Sequence, residues 1–130
     1  MRTKEDIESF LERLDSGTAE LQELEPGMWV VRTTGGAEVV VHFAPPVVNL
    51  RVSVMSLPTG AAKQGELCRA LLGYNARDLV HGAYGLEGDR VVLVDTLELE
   101  NLDFNEFEAS FDSMTLALAT HLGALAPYRE

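Results

Sequence analysis

The chain has 130 residues, enough for one domain with a real core, since a chain near this length buries roughly two thirds of its unfolded surface. With 46% hydrophobic and 24% charged residues it is not a disordered chain, and 21 acidic against 10 basic residues, a formal net charge of −11, argue against nucleic acid or anionic lipid as partners. A single cysteine, Cys68, excludes a disulfide within the chain, and no apolar run reaches the roughly 20 residues of a membrane span, so a reducing, cytoplasmic location is expected.

Thr3 and Asp6 make a Thr-x-x-Asp start, whose side chains can answer free N–H groups of a first helical turn. Ile7, Phe10, Leu11 and Leu14 follow at helical spacing, and Gly17 is the expected stop. From Leu21 the period shifts to two, and Glu25-Pro26-Gly27 is a turn signal. Strands are predicted over Met28–Thr33, Ala37–Phe43 and Val47–Met55. They are separated by Thr34-Gly35-Gly36 and by Ala44-Pro45-Pro46, because proline cannot donate to a ladder. In the third of these strands Val48, Leu50, Val52 and Val54 face one way, and Asn49, Arg51 and Ser53 the other. Such short turns imply an antiparallel meander.

Leu57-Pro58-Thr59-Gly60 closes the meander, and a second helix is predicted over about Ala62–Leu72. Leu67, Ala70, Leu71 and Tyr74 form its stripe, Cys68 and Leu72 widen it, and Gly73 and Asn75 read as stop signals. Strands over His81–Leu86 and Arg90–Leu97 flank a tight Glu87-Gly88-Asp89 turn. The last helix has the strongest start in the chain. Asp103 and Glu106 form a capping pair, and Leu102 and Phe107 occupy the positions of a hydrophobic staple. Phe104, Phe107, Phe111, Met114, Leu118, Leu122 and Leu125 then recur every three or four residues until Pro127.

This order predicts one α+β domain spanning 1–130: a twisted antiparallel five-stranded sheet with helices packed against it. Two of the strands are apolar on both faces. Val39, Val41 and Phe43 oppose Val40; Val91 and Leu93 oppose Val92 and Val94. The first and last helices are expected to cover one face, the second helix part of the other, and a second subunit the rest. Each such side chain contributes about 1.5–3 kcal/mol on burial, before the cost of association. A homodimer through the second helix and neighbouring strands follows. The candidate partner or dimer interface residues are Trp29, Val40, Leu72, Tyr74, Val92 and Val94, with Trp29 read first as a core anchor and second as a hot spot.

The chemistry-bearing residues form no recognised motif. His42, His81 and His121 are scattered and lack metal-ligand spacing; Cys68 sits on an apolar helix stripe, the setting of an inert thiol. Ser53, Ser56 and Ser110 lack a nucleophile elbow, and Gly82-Ala83-Tyr84-Gly85 is too strand-like for a phosphate loop. The acidic run Asp95–Glu108 lacks calcium-loop spacing and reads as a solvated loop and helix start. No catalytic, metal or cofactor site is expected, and no enzyme.

Four stretches carry a resemblance to a known family: Leu71-Leu72-Gly73-Tyr74-Asn75, Gly82-Ala83-Tyr84-Gly85-Leu86, Gly88-Asp89-Arg90-Val91-Val92-Leu93 and Leu99-Glu100-Asn101-Leu102-Asp103. In these, and in element order, the chain resembles the type III secretion chaperone-like superfamily, the Tir-chaperone (CesT-type) proteins with the related YbjN-like proteins. The resemblance implies a small, acidic, homodimeric bacterial protein without cofactors. It would hold an extended segment of a partner protein, such as a secreted effector, against apolar patches and sheet edges. A YbjN-like regulatory or scaffolding role with no secreted client is the alternative it implies.

Overall fold

A computed structural model of the chain describes residues 1–14 and 18–130. Six strands form one sheet: β1 (Thr18–Glu25), β2 (Met28–Thr33), β3 (Glu38–Ala44), β4 (Val47–Ser56), β5 (Ala83–Glu87) and β6 (Arg90–Glu98). Their order is β1-β2-β3-β4-β6-β5, every neighbour antiparallel. Three helices accompany it, α1 (Lys4–Arg13), α2 (Ala61–Arg77) and α3 (Phe104–Leu125), with a short 3-10 turn at Ala126–Tyr128. The α+β class with an antiparallel sheet is as expected, but the sheet has six strands, not five. The additional one, β1, is an edge strand in which only Thr18 and Leu21 are even partly covered. Main-chain pairing to β2 holds it, so it lacks the apolar face that makes a strand legible in sequence.

The helix starts form as their side chains dictate. Thr3 Oγ1 accepts from the Asp6 N–H at 3.2 Å while the Asp6 carboxylate accepts from the Thr3 N–H at 2.9 Å. The same reciprocal pair recurs between Asp103 and Glu106, at 2.8 and 3.3 Å, above a buried Leu102 and Phe107. Gly17, the expected stop of α1, lies outside the described residues.

Register separates the two faces of the sheet. On one, Trp29, Val41 and Leu50 align across β2, β3 and β4, and Val52, Leu93 and Tyr84 align across β4, β6 and β5. These rows join Ile7 and Leu11 of α1, Leu67 and Leu71 of α2, and Phe107, Phe111 and Met114 of α3 in one core. Val30 and Val92 are also buried but stand outside that core, on the opposite face. The expectation that α2 crosses to the second face is therefore corrected: all three helices bury their side chains in one layer.

Three local departures have clear causes. α2 continues through Gly73 and Asn75 to Arg77, because Tyr74 and Asn75 gain tertiary partners that outweigh weak helix propensity. The β4–β6 register shifts between Ser53 and Met55, a bulge at Val54 that turns Met55 inward and leaves Val54 half-exposed. Finally, β3 pairs with β4 only from Val40↔Arg51 to Ala44↔Val47, whereas β4 stays paired to β6 as far as Ser56. The sheet is thus open along the β3 side of Val52–Ser56.

Candidate functional site

The outer edge of the sheet at β5 is managed by one side chain. Asn75 on α2 accepts from the Tyr84 N–H at 2.7 Å and donates to the Tyr84 carbonyl at 3.0 Å. A carboxamide carries the same donor and acceptor as a peptide group, so Asn75 stands where a seventh strand would pair. Beside it lies a groove of about 270 Å³ between α2 and β5, lined by Cys68, Leu71, Leu72, Tyr84 and Leu86. Leu72 is 68% exposed and Leu86 51%, and Val80, just beyond α2, is 82% exposed. Cys68 is half-buried in this wall and unpaired.

Behind the groove, α2, β5 and α3 meet in a polar cluster. His121 is only 4% exposed; its Nε2 lies 2.9 Å from Asp78 Oδ2 and its Nδ1 2.7 Å from the Tyr84 hydroxyl. The Asp78 carboxylate can only accept, which puts a proton on Nε2. In the neutral ring Nδ1 then accepts from Tyr84. Tyr74 stacks on the imidazole with centroids 3.9 Å apart. Burial, then the neighbouring Tyr74 and Asp78, push the Tyr84 hydroxyl up to about 12. A hydroxyl so buried and so reluctant to ionise is not a nucleophile, and the cluster serves as a tie. Among the described residues no group of three or more His, Cys, Asp or Glu could hold a metal ion, and no helix is long and apolar enough to cross a membrane.

The sheet face without helices is the second surface. Val30, Val40, Arg51, Val94 and Ala83 align across it, beside Met28 and Val92. Two of its cations meet carboxylates, Arg51 with Glu87 at 2.6 Å and Arg32 with Glu20 at 2.7 Å, and Arg90 donates to the uncharged Ser53 and Ser56 hydroxyls.

The six candidate residues fall in four places. Val40, Val92 and Val94 share the open face, with Val92 largely covered by its neighbours. Leu72 lies on the α2–β5 groove, Tyr74 against His121, and Trp29, 1% exposed, inside the core. Trp29 is thus the anchor of the first reading and offers no surface to a partner. Leu86, Asn75, Asp78 and His121 were not among the candidate residues of the sequence reading. An exposed leucine in a short strand was a usable signal; the partners of the other three come from other elements.

A three-helix layer on an antiparallel sheet is the α+β fold that this chain shares with solved secretion chaperones. A chain of the ExoU–SpcU heterodimer from the type III secretion system of Pseudomonas aeruginosa superposes with a TM-score of 0.63 at 19% identity, covering 95% of this chain and 98% of that one. A chain of the complex between the Yersinia pestis type III secretion chaperone SycH and a fragment of YscM2 gives 0.63 at 15%, covering 91% and 98%. YbjN of E. coli gives 0.64 at 10%, covering 95% and 93%. At these identities the likeness is one of fold. The chain belongs to the CesT_Tir_1 family, whose profile matches residues 1–130. No curated protein matches the sequence.

Proposed function

We propose that the chain is a non-enzymatic chaperone-like module that works as a homodimer in the cytoplasm and binds an extended segment of another protein. The observation that carries this reading is the full-length match to CesT_Tir_1, supported by similar solved structures that are complexes with a second protein. The dimer is proposed through α2 and the neighbouring β5. Among the described residues, three of the seven exposed large hydrophobic side chains, Leu72, Val80 and Leu86, lie on this side. Asn75 blocks main-chain pairing at Tyr84, so a second copy would dock there through side chains and not by extending the sheet. The open face, with Val40 and Val94, is proposed as a further partner surface.

Two measurements test the reading. Sedimentation equilibrium at micromolar concentration should return twice the 14.2 kDa chain mass. Affinity capture from the native cell, followed by limited proteolysis of the complex, should leave the bound partner protease-sensitive while the chain stays resistant. A monomer that captures only folded, protease-resistant partners would point to a regulatory or scaffolding role.

A further inference from the structure

The open seam between β3 and β4 does not face bulk solvent alone. α3 runs beside it, and together they enclose a cleft of about 390 Å³ whose apolar walls are Val40, Val52, Val54, Leu118 and Leu122. The turn at Gly35 and Gly36 closes one side. Past Thr33, Gly35 and Thr115, which border both spaces, lies a second hollow of about 320 Å³ that reaches Phe111, Asp112 and Leu116. The two hollows follow α3 from Phe111 to Leu122, and exposed Leu116 and Leu122 add apolar surface along them.

Two features say what fits. The first is the main chain of β4. Beyond Val40↔Arg51 its β3-side edge is unpaired, although β3 itself begins at Glu38, and backbone N–H and C=O groups need partners. A second strand matches that requirement, and a helix or a small apolar molecule does not. The second feature is charge. Asp112, exposed at the lip of the second hollow, is partly desolvated, which pushes its carboxyl above the usual range, and among the described residues no salt bridge or side-chain hydrogen bond holds that carboxyl. One turn to either side on α3 stand Glu108 and Leu116, neither of which can neutralise it. Glu38, at the other wall, is already held by Arg32 at 3.4 Å. Asp112 itself stays exposed in the second hollow, within reach of a cation carried by the occupant. α3 rises about 1.5 Å per residue, so Asp112 lies roughly 9–15 Å from Leu118 and Leu122, the span of roughly three to five residues of extended chain.

We propose that this cleft receives an extended segment of a partner protein, with an apolar side chain against Leu118 and Leu122 and a lysine or arginine three to five positions away paired with Asp112. This rests on the partner-binding reading above and gives it a site and a sequence preference.

The test is a phage library of random 12-residue peptides selected on the full chain. The best-enriched peptide is then made with a fluorescent label and titrated by polarisation. Enriched sequences should share an apolar residue and a Lys or Arg at that spacing. Asp112→Asn should weaken binding about tenfold and flatten its salt dependence. Changing the peptide's basic residue to glutamine should cost the same, and the two losses should not add. Leu122→Gln should weaken binding, and Leu24→Gln, at an exposed leucine of β1 away from both hollows, should not. Unchanged urea midpoints for these exposed positions exclude unfolding as the cause. Peptides that bind equally well to Asp112→Asn and Leu122→Gln overturn this assignment but leave the partner-binding reading standing. A library from which nothing is enriched overturns both. If Leu122→Gln lowers the sedimentation mass instead, the cleft is filled by a second copy and the assignment is wrong.

Discussion

At the level of single residues, the side chains that matter most are polar ones inside an apolar setting. Asn75 satisfies both main-chain groups of Tyr84, and replacing it leaves a donor and an acceptor without partners at a sheet edge. Asn75→Ala should cost about 1–3 kcal/mol in urea unfolding and raise the sedimentation mass above that of the wild type, because an uncapped edge recruits strands. His121 and Tyr84 make a second prediction. The Tyr84 hydroxyl is raised to about 12 in the folded chain, whereas an unfolded tyrosine ionises near 10. The unfolded state therefore loses its proton first. The contribution of a neutral Tyr84 is whole below pH 10 and is lost as pH rises from about 10 through about 12. Absorbance titration near 295 nm should find one of the three tyrosines ionising last, and Tyr84→Phe should remove that step.

Elements follow from local chemistry wherever a local signal is strong. The caps of α1 and α3 form as their sequences dictate, and Asp103→Ala should cost about 1 kcal/mol, read as a lower urea midpoint with an unchanged slope. Where the signal is weak, contact with another element decides. Gly73 and Asn75 resemble a helix end, yet α2 runs on to Arg77 because Tyr74, Asn75 and Asp78 find His121 and Tyr84. β1 is mostly polar and is held by pairing to β2. Val54 reads as one more inward valine, but the bulge gives its inward place to Met55. None of these outcomes can be read from a window of ten residues, since each depends on residues distant in the chain.

At the scale of the whole molecule, a net charge of −11 sets a limit on self-association: two copies repel unless the surfaces that meet are nearly uncharged. The α2–β5 groove satisfies this with Leu71, Leu72 and Leu86. Leu72→Asp combined with Leu86→Asp should yield a monomer in sedimentation equilibrium. Both side chains are more than half exposed in the isolated chain, so its own fold should be little affected. A dimer formed through this groove should also tighten with added salt, as screening relieves like-charge repulsion. The sequence alone determined the presence of three helices, the caps of α1 and α3, and the antiparallel meander. Those are properties of short windows, in which side-chain period and capping chemistry act between neighbours. Only the tertiary structure decided that all three helices share one face, that Asn75 caps β5, and that β4 outruns the β3 pairing beside α3 to open a cleft along Leu118 and Leu122. Each of these is set by register and packing between distant segments, which no local period encodes.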